Sequence, residues 1–461
     1  MLLIALRIQI GVALGVVSFF GIATILGWRP AWGMVTAIPF NFVGDWNLTA
    51  IPMFLLMGYI AFSAGLTAGL FQAMRVMLSW LPGGLAIASV AACAFLSAAS
   101  GSSVAVSAAM ARIATPEMLK YKYDPGLAAG VIASAGTLGS MIPPSLLMVL
   151  YGYFADVSIA KLFMAGFIPG IMSALMFVAM IIIRVKLNPS LAPRVTEDFT
   201  VEERRAAFAD VWPLPVLIIS VLVGIFVGFF TPTEGAAVGA ALAIVLAAIK
   251  GTLTWKVLRE ASLSALSGTS SIFMVVIGTV LLGKMMALTG VPEVISKWLL
   301  GMGGDQLTVV LMVVVLYLIL GCFLDSISIL LLTMPIVMPI ARAVGADLIW
   351  FGIILVKLLE IGLVTPPVGL NVYVMKSALG SLIPLSTIFR GITWFVVLSL
   401  ADAYTAELDE VAHKRRDNAH DGQDNFAGRI PSPPDAGRVG DPDHCGGWGE
   451  GEKRREATAI G

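Results

Sequence analysis

Four serines and a glycine, Ser97, Ser100, Gly101, Ser102 and Ser103, sit inside an apolar run as "SAASGSSVAV". A helix broken at such a point inside hydrocarbon frees backbone N–H and C=O groups, each costing several kcal/mol unless it faces protein, water or an ion. Freed carbonyls together with serine hydroxyls make a set of hard oxygen donors suited to a cation such as sodium, while half-helix N-termini suit anions. A second set lies in the other half of the chain. Asp325 and Ser326 mark the break in "FLDSISILL", and Thr365, Gly369 and Asn371 flank the pair Pro366–Pro367. Pro143–Pro144 breaks the corresponding segment of the first half. Small residues that merely let helices approach closely are the competing reading. The recurrence of two tips and two proline pairs in the same order favours an ion or substrate site.

Other chemistry is excluded. His413, His420 and His444 all lie near the end of the chain, and no G-x-S-x-G, H-E-x-x-H or paired-carboxylate set occurs in the apolar body, so the chain reads as no enzyme. Gly278–Lys284 spells G-x-x-x-x-G-K, but Met285 replaces the hydroxyl residue that holds magnesium and no strand precedes it. Cys93, Cys322 and Cys445 are too few and too scattered for a disulfide framework or a metal site. Lys357 and Glu360, three apart, share a helix face and read as a structural pair that neutralises itself. Asp325 has no cation within a helical turn and reads as an ion ligand or a helix cap. Thr233–Glu234 reads as the cap of the helix that follows.

The elements that must hold these groups follow from composition. With 58% hydrophobic and 13% charged residues and a mean hydropathy of +0.93, a chain of 461 residues is an all-α polytopic membrane protein. Its start, Met1–Leu26, lacks a charged n-region and a cleavage site and reads as a first span, not a removed signal. Spanning segments are expected at 2–27, 49–70, 126–154, 159–187, 211–230, 234–250, 262–289 and 350–380. Two more, 84–118 and 307–346, are long enough for helix pairs but break in the middle.

Charge sets the orientation. Arg75, Arg112, Lys120 and Lys122, then Arg184 to Arg205, then Lys250, Lys256 and Arg259 fall on one side only if 84–118 and 307–346 each enter and leave by the same face. The opposite loops hold only Arg29, Lys161, Lys297 and Arg342. The positive-inside bias then makes both segments re-entrant and puts the charged linker in the cytoplasm. "LGSMIPPSLLMVLY" (138–151) and "IGLVTPPVGLNVYV" (361–374) complete an inverted repeat. The expected organisation is a first repeat with one hairpin at 1–186, a linker at 187–210 carrying a short surface helix, a second repeat with the other hairpin at 211–406, and a polar tail at 407–461 without hydrophobic periodicity.

The segments "DWNLTAIPMFLLMG" (45–58), "FLSAASGSSVA" (95–105), "ATPEMLKYKYDPGLAAGVIASAGTLGSMIPPS" (114–145), "FMAGFIPG" (163–170), "TPTEGAAVGA" (231–240), "GCFLDSISILLLTMPI" (321–336) and "LEIGLVTPPVGLNVYVMKSA" (359–378) are similar, in order and over roughly residues 1–395, to the large membrane (permease) subunit of tripartite ATP-independent periplasmic (TRAP) transporters. The resemblance implies a sodium-driven importer of organic acids in a bacterial inner membrane, working as an elevator. A periplasmic binding protein would deliver a C4-dicarboxylate, a sialic acid or another carboxylate, and a small subunit of about four helices would complete the complex. Beyond sodium no cofactor is implied; membrane lipid is a partner and nucleic acid is not. Carried over by motif, the sodium and substrate region comprises Ser100–Ser103, Gly136–Thr137, Pro143–Pro144, Asp325–Ser326 and Thr365–Asn371, with Pro366, Pro367 and Gly369 inside the last. The scaffold helices 2–27 and 211–250 would meet the small subunit.

After "STIFRGITWFVVLSL" (386–400) the family's final apolar helix is expected to be cut short by "ADAYTAELDEVAHKRRDNAHDGQDN". A shifted reading frame near residue 400 would account for this, and an apolar continuation in another frame of the DNA would test it. A coupled carboxylate transporter without a binding protein is the nearest alternative function. A channel needs a continuous polar path that these spans lack.

Overall fold

The computed structural model describes residues 8–193, 199–301 and 306–403, and every regular element among them is helical. Six helices are long and apolar enough to cross a membrane, or seven if a bent pair counts as one span. The protein is therefore a multi-pass membrane protein.

A scaffold forms from small residues that let backbones close. α1 (Ile10–Leu26) turns at Gly27 into α2 (Trp28–Val43), a helix that the broken hydropathy around Arg29, Gly33 and Pro39 concealed. The 35-residue α13 (Trp255–Thr289) runs against α1, where Gly11 faces the main chain of Met274 and Gly278 that of Gly11, with no room for a side chain. α3 (Ala50–Ser63) packs on α13 and on α12 (Pro232–Ile249). The cap of α12 is Thr231, not Thr233: its hydroxyl accepts from Glu234 N–H at 3.3 Å, and Glu234 reaches back to Thr231 N–H at 2.8 Å.

Both broken segments fold back on themselves. α5 (Gly84–Ser100) and α6 (Ser103–Lys120) would carry their outer ends roughly 55 Å apart as a single rod. Instead Leu85 N–H donates to the Tyr123 hydroxyl at 3.3 Å. Just outside this point Arg75, on α4 (Leu70–Leu78), clamps Glu117 and the Tyr121 hydroxyl at 2.8 and 2.7 Å. In the second segment the hydroxyls of Tyr317 and Thr333 meet at 2.5 Å across α15 (Gln306–Gly321) and α16 (Ser326–Ala343). α14 (Val291–Gly301) packs on α16 near the base of that hairpin.

Two helices are broken by proline pairs. α7 (Pro125–Gly136) passes through a 3-10 turn at Thr137–Ser140 and the cis Pro143–Pro144 bond into α8 (Leu146–Ala155). α17 (Leu348–Gly362) passes through the cis Pro366–Pro367 bond into α18 (Leu370–Leu379). The long α9 (Ile159–Leu187) ends at the linker, whose helix α10 (Val201–Val211) starts at a Thr200–Glu203 capping box, packs on α4, and bends by 44° into α11 (Pro213–Phe226). The surface helix expected in the linker is thus present.

The final apolar helix, expected to be cut short, is present as well. α19 runs over 385–403, 19 residues that satisfy length and hydropathy for a span. Its last turn, Ala401–Ala403, enters the stretch whose polar composition suggested a stop, because Asp402 is turned inward to a buried partner. The polar tail expected at 407–461 lies outside the described residues.

Candidate functional site

The first tip is built by one glycine and two serines. α5 ends where Gly101 takes a left-handed φ of +60°, a conformation that costs a side-chain-bearing residue, and its N–H closes on Ser97 O at 2.8 Å. Ser102 then caps α6, its hydroxyl accepting from Ala105 N–H at 3.4 Å. A Cβ on Gly101 would stand 3.4 Å from Pro144 O, so the tip rests against the first proline break. Ser103 is buried, with its hydroxyl 3.1 Å from that of Ser140. Gly136 leaves the room that Ser103 O and the Ser107 hydroxyl occupy, while the Thr137 hydroxyl donates to Ser134 O at 2.6 Å. Gly101, Ser103, Gly136 and Pro144 therefore converge. Ser100 and Ser102 instead face a cavity of about 150 Å³ shared with Gly58, Tyr59 and Thr67.

In the second half, Asp325 caps α16, accepting from Ser328 N–H at 3.1 Å. This satisfies the cap reading of that residue. The Cys322 sulfur lies 3.1 Å from Pro366 O and equally from Leu318 O in the last turn of α15, which sets the second tip against the second break. Thr365, just past the end of α17, donates back to Ile361 O at 2.6 Å in its last turn, and Gly369 adopts φ +63° ahead of α18. Pro366 and Pro367 are exposed, unlike the buried Pro143–Pro144. Asn371 is 0% exposed, and both polar atoms of its side chain lack a hydrogen-bond partner. Its helix, α18, packs on α6 and α7, which brings the end of the second break against the first hairpin.

Glu360 joins the halves. It is 2% exposed, accepts from the Ser326 hydroxyl at 3.4 Å, and interacts with the hydroxyls of Ser103 and Ser140. One carboxylate thus touches both hairpin tips and the turn before the first proline break. Its other oxygen has no partner, and no basic side chain pairs with it among the described residues. The expected Lys357–Glu360 pair does not form. Lys357 Nζ lies 2.5 Å from both Asp402 on α19 and Ser173 on α9. α17 is buried on all sides from Phe351 to Gly362, so side chains three apart, some 60° round the helix, find different neighbouring helices. Neither Glu360 nor Ser140 stood out in the sequence as a site residue. The available signal was an acidic residue on the helix that enters the second break, six residues before its first proline.

Comparison with known proteins agrees with this architecture. The family model "Tripartite ATP-independent periplasmic transporter, DctM component" matches residues 1–405. The C4-dicarboxylate TRAP transporter large permease protein DctM of Pseudomonas aeruginosa is 36% identical over 77% of this chain and 82% of its own length. The sialic acid TRAP transporter large permease protein SiaM of Vibrio cholerae is 32% identical over 78% and 85%. The isethionate TRAP transporter permease protein DctMQ of Oleidesulfovibrio alaskensis is 34% identical over 74% of this chain and 53% of its own. Among solved structures, the YdaH transporter of Alcanivorax borkumensis shares the fold at a TM-score of 0.61 and 13% identity, over 83% of this chain and 88% of that one. These proteins are transport permeases and not enzymes. On the match to residues 1–405 and these identities, the chain belongs to the DctM component family of tripartite ATP-independent periplasmic transporters.

Proposed function

We propose that this permease is a sodium-coupled secondary transporter that imports an organic acid, a C4-dicarboxylate, sialic acid or similar carboxylate, across a bacterial inner membrane. The substrate class is that named for the relatives, and all three named substrates carry an acidic group ionised at neutral pH. A periplasmic binding protein delivers it and a small membrane subunit completes the complex, in keeping with the relative whose name joins M and Q. The two helical hairpins act as oppositely oriented re-entrant loops of an inverted repeat, moving as an elevator against the scaffold of α1, α3, α12 and α13.

The observation that carries this reading is the placement of Glu360. A carboxylate in so dry a site is stable only when a counter-charge or a proton neutralises it. A cation held there, among the hydroxyls of Ser103, Ser140 and Ser326, would draw both tips together, which is what coupling ion binding to movement requires. Ser100–Ser102, Gly136–Thr137, Asp325 and Thr365–Asn371 complete the candidate region for cation and substrate. A proton on Glu360 would serve the same end, so the second reading is proton coupling at the same residue.

The test is uptake of labelled C4-dicarboxylate and sialic acid by the reconstituted complex under an imposed sodium gradient or an imposed proton gradient. Uptake driven by sodium alone is expected, and uptake that follows only the proton gradient replaces the coupling ion. Asp325→Ala and Ser102→Ala each remove a cap worth about 1 kcal/mol. Both variants are expected to reach the membrane at normal levels, transport about fivefold more slowly, and require more sodium for half-maximal uptake. Unchanged sodium dependence would assign both residues to packing.

A further inference from the structure

The first hairpin hangs on a short joint. Between the end of α3 at Ser63 and the start of α4 at Leu70 the chain runs through successive turns, from Ala64 to Gly69. Gly65 takes a left-handed φ of +68° with open space beside it, while Leu66 is 0% exposed. Thr67 lines the cavity of about 150 Å³ beside Ser100 and Ser102. On one side of the joint stands α3, part of the scaffold. On the other, α4 packs on α5, and its Arg75 holds Glu117 of α6. The angle between α3 and α4 is therefore passed on to the hairpin.

One ion pair sets that angle. Lys250, at the linker-side end of α12, donates from Nζ to Gly65 O at 3.2 Å and to Asp210 O at 3.0 Å, and pairs with Asp210 Oδ1 at 2.7 Å. The three contacts match the three donors of an ammonium. The second carboxylate oxygen of Asp210 sits against Gly69, where a Cβ would stand 2.3 Å from it. A negative charge is also well placed there, at the N-terminus of α4. Asp210 belongs to the linker helix α10, which packs on α4, and Phe199 just ahead of that helix lies 5.9 Å from the Arg75 guanidinium. The pair thus gathers the ends of two scaffold helices, the linker helix and the start of α4. It is only half enclosed, with side chains 18% and 45% exposed. An ion pair so open is weak and screened by salt, enough to bias a position without locking it.

We propose that Lys250 and Asp210 form a latch across this joint, which holds the first hairpin where it lies here and lets go when the hairpin moves. The latch rests on the reading that the hairpins move against the scaffold.

Tyr59 on α3 and Ala105 on α6 line the same cavity, one from the scaffold and one from the hairpin. Tyr59→Cys and Ala105→Cys, introduced together into the full complex without the native cysteines, are bridged by a short bifunctional thiol reagent. The bridging rate reports how often the hairpin occupies this position. Asp210→Asn keeps an acceptor but no charge, and Lys250→Met removes the donor; each is expected to slow bridging about threefold, the bias that so open a pair exerts. Concentrated potassium chloride is expected to slow the parent likewise and to add nothing in either variant. Lys256→Met, which breaks the exposed Lys256–Glu260 pair on α13, is expected to leave the rate unchanged. Unchanged or faster bridging in Asp210→Asn overturns the latch, as does an equal effect of salt on parent and variant, because the pair then only fastens the linker. Uptake by the bridged parent tests the elevator separately. If bridging leaves uptake intact, the moving hairpin is lost as a mechanism, while the bridging rates still show whether this pair biases where the hairpin lies.

Discussion

Asp402→Ala is expected to cost about 3–5 kcal/mol and to lower both the melting temperature and the amount of protein recovered from membranes. The Lys357 ammonium and the Asp402 carboxylate lie within hydrogen-bonding distance, with side chains only 10% and 18% exposed, at the depth of the middle of α9. Water cannot reach in to solvate a lysine left alone there. The loss is therefore the penalty of a buried, uncompensated charge and far exceeds the worth of an exposed ion pair, about 0–1 kcal/mol. The same logic predicts a rescue. Removing both charges, as in Lys357→Met with Asp402→Leu, is expected to restore most of the stability, because two apolar side chains need no counter-charge. A double-mutant cycle read by thermal unfolding checks this, and additive losses would show that the two residues act separately. Ser173, 2.9 Å from Asp402, should contribute less, since Lys357 keeps its counter-ion without it.

This pair shows where sequence reasoning stops. Tips and breaks were legible because glycine, serine and proline pairs inside apolar runs are local signals: Gly101 needs a left-handed turn wherever its helix packs, and Pro143–Pro144 ends a helix in any surroundings. The linker helix was expected as well, and the Thr200–Glu203 capping box, a local signal of the same kind, is where it starts. Partner choice was not. Lys357 and Glu360 are near neighbours in sequence, yet one turns to Asp402, 45 residues on, and the other to Ser326, 34 residues back. Nothing local announces that α17 is enclosed on every side, and only that enclosure lets its polar groups diverge. The final helix was misjudged likewise: Asp402 reads as the start of a polar tail until its buried partner is known. α4 escaped because nine residues with one apolar face are too short to register as a span.

Glu360 should be the residue on which transport depends most. Glu360→Ala takes away the carboxylate that accepts from Ser326 in the second half and interacts with Ser103 and Ser140 in the first, and a hydrogen bond to a charged group such as that from Ser326 is worth about 1.5–3 kcal/mol. The two tips then have no common side chain, and uptake is expected to fall at least about tenfold even where the protein reaches the membrane. Glu360→Gln separates shape from charge. The amide oxygen still accepts from a hydroxyl, so this variant should fold and insert much as the parent does, but it offers a cation no net charge. On the proposed sodium coupling, uptake by the glutamine variant is therefore expected to lose its sodium dependence along with most of its rate. If that variant transports at the parent's rate with the parent's sodium requirement, the carboxyl is a neutral hydrogen-bond hub and the coupling cation sits on the main-chain oxygens of the tips instead. A buried acid whose second oxygen has no hydrogen-bond partner is poorly satisfied as a hub alone, and it is that oxygen, placed where both halves meet, that makes a bound cation the stronger expectation.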